Sequence, residues 1–147
     1  MTPASVPIPG SVIRYAYLWA DESAKGAEEG RKDRPALVLA LSVRTEGDEA
    51  TLLVVAVTHS PPSSDEEAIV FPEAEKRRLG LDDARSWIVT TEGNAFVWPG
   101  PDVRPVPGRD PATLIYGTVS QALLRRVARA YLANRGRQRT RMVTRTT

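Results

Sequence analysis

Apolar residues fall into short runs along the chain, and segments rich in glycine, proline and charge separate these runs. Residues 36–43 and 51–57 are rich in valine and leucine and are joined by a turn at 45–49, which predicts two buried strands. Residues 12–19 have the β-branched and aromatic content of another strand. Shorter strands are predicted over residues 68–71, 86–91, 96–98 and 113–117.

Two helices are predicted as well. Pro72 suits the first turn of a short helix that Gly80 can end, with acidic residues near its start and basic residues near its end. Ser120 can cap a longer helix. The apolar face of that helix is formed by Leu123, Leu124, Val127 and Tyr131. These elements predict a mainly β domain with short helices, and a strongly bent antiparallel sheet of the SH3-like barrel type is the leading architecture.

Composition excludes several classes of chemistry. At 147 residues with 41% hydrophobic content, the chain can form one domain with a substantial core. It has no cysteine and one histidine, which excludes disulfides, thiolate metal sites, cysteine nucleophiles and histidine-rich metal centres, and no cofactor is expected. The N-terminal residues lack the features of a signal peptide, and no run approaches the ~20 apolar residues of a membrane span. A soluble cytoplasmic protein is predicted.

Basic residues are concentrated towards the C-terminal end. Residues 125–147 contain eight arginines and no acid, whereas the rest of the chain has 12 basic and 18 acidic residues and thus a charge of −6. Such a segment can attract phosphates through counterion release. It can equally be disordered, because residues 137–147 have few apolar side chains with which to fold. We therefore expect one domain over residues 1–134 and an Arg-rich, flexible tail over residues 135–147.

A long charged loop precedes the second strand. Residues 20–34 combine many charged side chains with two glycines, a composition typical of solvated and often functional loops. Arg34 lies where this loop meets the second strand, and Thr58 and His59 follow the third strand. Arg34 and Thr58 can therefore approach one face of the sheet, and together with a histidine they suit a phosphodiester ligand.

The motifs GRKDRPALVL, over residues 30–39, and VVAVTH, over residues 54–59, resemble the MazF/PemK family of toxin-antitoxin ribonucleases. RSWIV, over residues 85–89, is a weaker match, and the resemblance covers residues 10–132. It implies the SH3-like barrel of the MazF/PemK/CcdB-type toxin fold with a C-terminal helix. It also implies a growth-inhibiting endoribonuclease that cleaves single-stranded RNA sequence-selectively without metal, a homodimer and a cognate antitoxin.

The resemblance implies that Arg34 and Thr58 belong to the active site. Arg34 would supply a fixed positive fork for phosphate, and Thr58 would donate a hydroxyl hydrogen bond. His59 is added as a catalytic candidate because the ordinary pKa of histidine suits proton transfer near neutrality. Each residue also has a structural interpretation: a surface arginine paired with Asp33 or a loop glutamate, a strand-end hydroxyl bonded to backbone, and an exposed loop histidine.

Further residues are expected to contact RNA. The charged loop can close over the RNA. An aromatic side chain beside a proline, Trp98, can stack on a base. Trp19 and Trp87 instead lie in strand patterns and are expected in the core. After residues 86–89 many family members have a Gln-Ile-Arg-like segment followed by an acid, but this chain reads TEGN and lacks the second family arginine. The expected RNA-binding residues are Lys25, Glu28, Arg31, Lys32, Glu92, Asn94 and Trp98.

Two other functions remain open from the residues alone. The chain can be a non-catalytic SH3-like module that binds nucleic acid, or a barrel used only for protein interaction. RNA cleavage, RNA binding without cleavage, and the lack of any RNA binding separate these three hypotheses.

Overall fold

The computed structural model describes residues 6–24, 32–43, 49–137 and 140–145. Over these residues the chain forms eight strands and three helices, which confirms a mainly β protein with short helices. None of these three helices is long and apolar enough to cross a membrane. In chain order the elements are β1 (Ser11–Tyr15), α1 (Ala20–Ala24), β2 (Arg34–Val43), β3 (Ala50–Thr58), β4 (Ala68–Val70), α2 (Glu73–Leu79), β5 (Trp87–Val89), β6 (Glu92–Val97), β7 (Ile115–Thr118), α3 (Gln121–Gly136) and β8 (Arg141–Thr144).

The long strands β2 and β3 form the centre of the sheet. They are antiparallel, with Ala36 opposite Ala56, and a bulge lies between Val38 and Ala40. The strand order is β4-β5-β3-β2-β1-β7, with every neighbouring pair antiparallel. β6 also pairs with β3, and β8 joins β6 in parallel. In the part of the chain that the structure describes, no pairing joins β7 to β4, so the sheet is not closed into a barrel.

The edge of β3 is divided between two partners. Residues 51–54 pair with β6, whereas Val57 and Thr58 pair with β5. The small β4–β5 unit is therefore attached to the end of β3, next to the start of β2. This arrangement places the last residue of β3 at a junction between neighbouring strands, where an opening can form.

The core lies on both faces of the β2–β3 pair. Leu37 and Val55 belong to one cluster, together with apolar side chains of α3. Val38 and Val54 belong to a second cluster, which is rich in aromatic side chains. Because both faces are buried over residues 36–38 of β2 and 54–57 of β3, the sequences there are continuous apolar runs instead of an alternation of apolar and polar residues.

Both predicted helices form, and their ends lie where the sequence indicates. Gly80 ends α2 with a φ of 73°, a left-handed conformation that glycine adopts without steric cost. Ser120 Oγ accepts a hydrogen bond from the Leu123 N–H at 3.2 Å and caps α3. Glu75 of α2 in turn accepts hydrogen bonds from the Ser120 N–H and Oγ–H at 2.6 and 2.8 Å. This carboxylate ties α2 to the start of α3.

Several boundaries differ from the predicted ones. The first strand ends at Tyr15, four residues before the predicted end at residue 19. The loop predicted over residues 20–34 contains α1 at its start, and Arg34 already belongs to β2. β6 begins at Glu92 instead of residue 96, because β3 offers a free edge along this segment.

The C-terminal segment requires the largest correction. We expected residues 135–147 to be a flexible tail, but α3 continues to Gly136 and Arg141–Thr144 forms β8. Val143 of this strand is buried in a small cluster with Leu18 and Ala20. The expectation was wrong for residues 141–145 because a strand of four residues forms only where it finds a partner, here the open edge of β6, which is distant in the sequence.

Arg145 attaches this segment to the interior. Its side chain is 2% exposed, and its Nη2 lies 2.9 Å from a carboxylate oxygen of Asp102. Its Nη1 donates to the Ala16 carbonyl at 2.8 Å and to the Tyr15 hydroxyl at 3.1 Å. A buried guanidinium with this set of acceptors is satisfied, and losing it would leave Asp102 buried without its cation.

We predict that Arg145→Ala lowers the free energy of unfolding by about 3 kcal/mol, because breaking a buried ion pair strands the remaining charge. Arg141→Ala, in the same C-terminal segment, is the matched control: its pair with Asp21 lies at 2.8 Å but is exposed, and its loss should cost less than ~1 kcal/mol. Urea unfolding of both variants measures the difference. Equal stability of the two variants would contradict this role of Arg145.

Candidate functional site

The β2–β3 pair brings two of the predicted residues together. Arg34 is the first residue of β2 and Thr58 is the last residue of β3. Since the strands are antiparallel with Ala36 opposite Ala56, these two residues lie at the same end of the pair. Both line a surface cleft of about 350 Å³, together with His59, Lys32 and Trp19. The three predicted catalytic residues therefore share one cleft.

Arg34 is held in a partly buried position. Its guanidinium carbon lies 4.9 Å from the centre of the Trp19 ring, a cation–π geometry that fixes the orientation of the side chain. Its Nε is buried and has no hydrogen-bond partner among the described residues. Burial lowers the pKa of Arg34, whereas the negative charge of Glu22 opposes this shift. The unpaired Nε is costly, because a buried donor without a partner loses the hydrogen bond that it would make with water.

The Thr58 hydroxyl makes one local hydrogen bond, in which its oxygen is the acceptor. Its Oγ1 accepts a hydrogen bond from the Ser60 N–H at 3.1 Å, which is the backbone bond expected of a structural threonine. A hydroxyl group also carries one donor hydrogen. The Thr58 hydroxyl can therefore keep this local bond and still donate to a ligand in the cleft.

His59 is paired with a carboxylate. Its Nε2 lies 3.1 Å from Asp82 Oδ1 and 3.0 Å from Asp82 Oδ2, and both side chains are 55% exposed. The Lys76 Nζ lies 3.2 Å from the same Oδ1. His59, Asp82 and Lys76 thus form a continuous polar chain at the edge of the cleft, which we call the His59 relay.

Lys76 is the buried end of this relay. Its side chain is 2% exposed, although lysine is seldom buried without a partner. The ammonium donates to Asp82, to Ser86 Oγ at 2.8 Å and to the Ala84 carbonyl, so all three of its donors are used. Desolvation raises the pKa of Asp82, but hydrogen bonds and charges from Lys76 and His59 outweigh it and hold this pKa below its usual range.

A second cleft adjoins the first. It has a volume of about 450 Å³ and shares Trp19, Lys32 and Arg34 with the first cleft, so these three residues form a common wall. On its far side lie Tyr17 and the acidic start of α1. A ligand that passes over Arg34 could place one group in each cleft.

No family model, curated protein or solved structure matches this chain. Within the described ranges, no group of three or more histidine, aspartate or glutamate side chains could hold a metal ion.

Two predicted RNA-binding residues lie away from the cleft. Asn94 is fully buried, accepts a hydrogen bond from the Leu18 N–H at 2.9 Å and donates to the Leu18 carbonyl at 2.8 Å. Its amide connects two chain segments and has no exposed edge with which to read a base. Trp98 is 6% exposed and packs in the aromatic cluster beneath β2 and β3. Placing these two residues at the RNA surface was wrong, because both fill the core.

Glu92 also has a structural position. Its Oε1 accepts hydrogen bonds from the Ala20 N–H at 2.9 Å and from the Tyr17 hydroxyl at 3.3 Å, so it holds the start of α1. Of the charged-loop candidates, Lys32 is exposed and lines both clefts. Lys25, Glu28 and Arg31 lie outside the described residues.

Sequence reasoning missed Trp19 and the other two members of the His59 relay, Asp82 and Lys76. Trp19 was expected in the core but lines the cleft, because the strand ends at Tyr15 and the chain turns before it. For Lys76 a signal was present: it lies three residues before Leu79, which places it on the buried face of α2. Nothing in the local sequence indicated that Asp82 would meet both Lys76 and His59.

Glu92 provides a pH test of its structural role. Burial raises its pKa, although the hydrogen bonds from Ala20 and Tyr17 and the charge of Arg141 oppose the shift. A carboxyl group whose pKa is raised by folding stabilises the folded protein at a pH below its pKa in the unfolded chain, about 4.3. This contribution is lost as the pH rises through its pKa in the folded protein.

We predict that Glu92→Gln, which keeps the acceptor oxygen, unfolds at higher urea concentration than wild type at pH 8. The two proteins should match at about pH 3, where Glu92 is protonated. A less stable variant at pH 8 would contradict this interpretation.

Proposed function

We propose that this protein is an endoribonuclease that cleaves single-stranded RNA without a metal ion, with the cleft at the β2–β3 end as its active site. The observation that carries the proposal is the presence of Arg34, Thr58 and His59 in one cleft. These residues supply a cation, a hydroxyl donor and a proton acceptor, which are the groups that transesterification of a phosphodiester requires.

The proposed reaction uses the ribose 2′-hydroxyl as nucleophile. The 2′-oxygen bonds to the adjacent phosphorus and passes its proton to His59, while the bond from phosphorus to the 5′-oxygen breaks. The products are a 2′,3′-cyclic phosphate and a 5′-hydroxyl, whose proton comes from water in the open cleft. Arg34 and Thr58 bind the non-bridging oxygens, and their interactions strengthen as negative charge develops there.

The shape of the site favours a single strand. The two adjoining clefts share the wall formed by Trp19, Lys32 and Arg34, so a phosphate bound at this wall leaves one nucleotide on each side. Unpaired bases can spread into separate clefts, whereas paired bases in a duplex are held in a stack. The Trp19 ring adds an aromatic surface beside the cation, a common feature of single-strand binding.

The proposal includes the architecture and partners that the MazF/PemK resemblance implies. These are an SH3-like barrel, a homodimer, sequence-selective cleavage that inhibits growth, and an antitoxin that blocks the RNA site. The bulge in β2 and the division of β3 between β5 and β6 support a strongly bent sheet of the SH3-like type, because bulges and changes of partner bend a sheet. The described strands themselves do not close into a barrel. The position of Arg34, Thr58 and His59 in one cleft supports the cleavage activity, and the homodimer, the growth inhibition and the antitoxin rest on the resemblance alone.

The first test is cleavage of a long single-stranded RNA in excess EDTA, read on a sequencing gel. We predict discrete cuts by wild type and a loss of about 100-fold or more in rate for Arg34→Ala, because a donor to the developing charge is removed. Arg34→Lys should recover part of the rate, since it keeps the charge but loses the planar fork. Arg77→Ala, an exposed arginine of α2 outside the cleft, is the control and should cleave normally.

Thr58 is tested by a pair of variants. Thr58→Ser keeps the hydroxyl and should cleave nearly as fast as wild type. Thr58→Val keeps the shape but removes the donor, and we predict a loss of about tenfold, the value of one hydrogen bond. Equal cleavage rates for the two variants would show that the Thr58 hydroxyl does not contribute to the reaction. Intact RNA with wild type, in the presence of measurable binding, would instead indicate the non-catalytic binding module.

Lys32 is expected to contribute binding and not chemistry. It is exposed at the wall between the two clefts. Lys32→Ala should weaken RNA binding and reduce the slope of log affinity against log salt by about 0.7, the value for one phosphate contact on a single strand. Fluorescence anisotropy at several salt concentrations measures this slope, and an unchanged slope would exclude a phosphate contact.

A further inference from the structure

The Asp82 carboxylate is the central member of the His59 relay and is held by donors on both sides. Asp82 receives donors from both of its neighbours: Lys76 Nζ at 3.2 Å on Oδ1, and His59 Nε2 within 3.1 Å of both oxygens. The Ala84 N–H also donates to Oδ1 at 3.1 Å. The carboxylate is therefore fixed in orientation, although more than half of its surface is exposed.

We propose that Asp82 and Lys76 are positioning residues that hold neutral His59 with its proton on Nε2, so that Nδ1 is the nitrogen that accepts a proton. An ionised carboxylate can only accept hydrogen bonds, so the ring nitrogen that faces it must be the one that carries hydrogen. Among the described residues, Nδ1 has no hydrogen-bond partner. The function of this nitrogen in RNA cleavage rests on the proposed activity, whereas the tautomer does not.

Lys76 accounts for the orientation of the carboxylate. Its ammonium is buried and is also bound by Ser86 Oγ at 2.8 Å and by the Ala84 carbonyl, so it cannot move without losing several partners. Lys76 Nζ and the Ala84 N–H both donate to Oδ1, and the imidazole Nε2 lies 3.1 Å from Oδ1 and 3.0 Å from Oδ2. The anchored cation thus holds the carboxylate in the orientation in which both of its oxygens are directed to His59 Nε2.

The relay is connected to the phosphate-binding side of the cleft. A small cavity of about 40 Å³ is lined by Arg34, His59, Lys76 and Asp82. When His59 takes the proton from the ribose hydroxyl, its ring becomes a cation, and the adjacent Asp82 carboxylate stabilises that charge. This is the role of the carboxylate in other His–Asp pairs used for proton transfer.

The single histidine of this chain makes the proposal directly testable. In protein labelled with ¹⁵N-histidine, long-range ¹H–¹⁵N spectra distinguish the protonated nitrogen from the unprotonated one, and every ring signal belongs to His59. At a pH where the ring is neutral, we expect the wild type to show the Nε2–H tautomer. A wild type with the proton on Nδ1 would overturn the proposal.

Asp82→Asn is the decisive variant. Because Lys76 and Ala84 donate to Oδ1, the new amide oxygen should stay there and the new NH₂ group should face His59. The proton should then move to Nδ1, and kcat should fall by about 100-fold or more while KM changes by less than about threefold. Asp83→Asn, at an exposed neighbouring carboxylate, is the matched control and should change neither the tautomer nor kcat.

Lys76→Met tests the other end of the relay with a side chain of similar length. We expect a mixture of tautomers and a lower kcat in protein that unfolds cooperatively. If Asp82→Asn leaves the tautomer unchanged, the positioning role is wrong. If the tautomer moves but cleavage is unaffected, Nδ1 is not the proton acceptor and the proposal is overturned. Lack of cleavage by wild type itself would contradict the proposed function, while the spectra would still decide the tautomer.

Discussion

The pairing of β2 with β3 is the constraint on which the rest of the structure depends. Both faces of this pair are buried over residues 36–38 and 54–57, so its register is fixed by two clusters of apolar side chains at once. A shift by one residue would turn each side chain to the opposite face. The same register brings Arg34 and Thr58 to one end of the pair, and stability and site geometry therefore have a common cause.

Buried polar groups connect the remaining elements to this centre. Asn94 holds the backbone of Leu18, and Arg145 joins the end of the chain to Asp102 and to the Ala16 carbonyl. Such groups are costly unless every donor and acceptor finds a partner, so they favour one arrangement over others. They explain why an arginine-rich segment with little apolar content is part of the sheet.

The cleft combines rigid and unsatisfied groups. Trp19 orients Arg34, yet the Arg34 Nε has no partner among the described residues. By contrast, the ammonium of Lys76 is fully satisfied and acts through Asp82 on His59. Arg34 thus keeps an unpaired donor at the cleft, whereas the ammonium of Lys76 uses its donors to hold Asp82 and its neighbours. This difference assigns the two cations different roles.

The sequence by itself determined the β2 and β3 strands and the two capped helices, because each depends on periodicity or caps within a few residues. It also predicted the approach of Arg34 to Thr58, which follows from the antiparallel pairing of the strands that these residues begin and end. It did not determine the burial of Asn94 and Trp98, the formation of the C-terminal strand β8, or the contact between Asp82 and His59. Those outcomes depend on contacts between distant parts of the chain, such as Asn94 with Leu18 across 76 residues and Arg145 with Tyr15 across 130. Only the tertiary structure decides which polar groups become buried, since burial depends on partners that the local sequence does not contain.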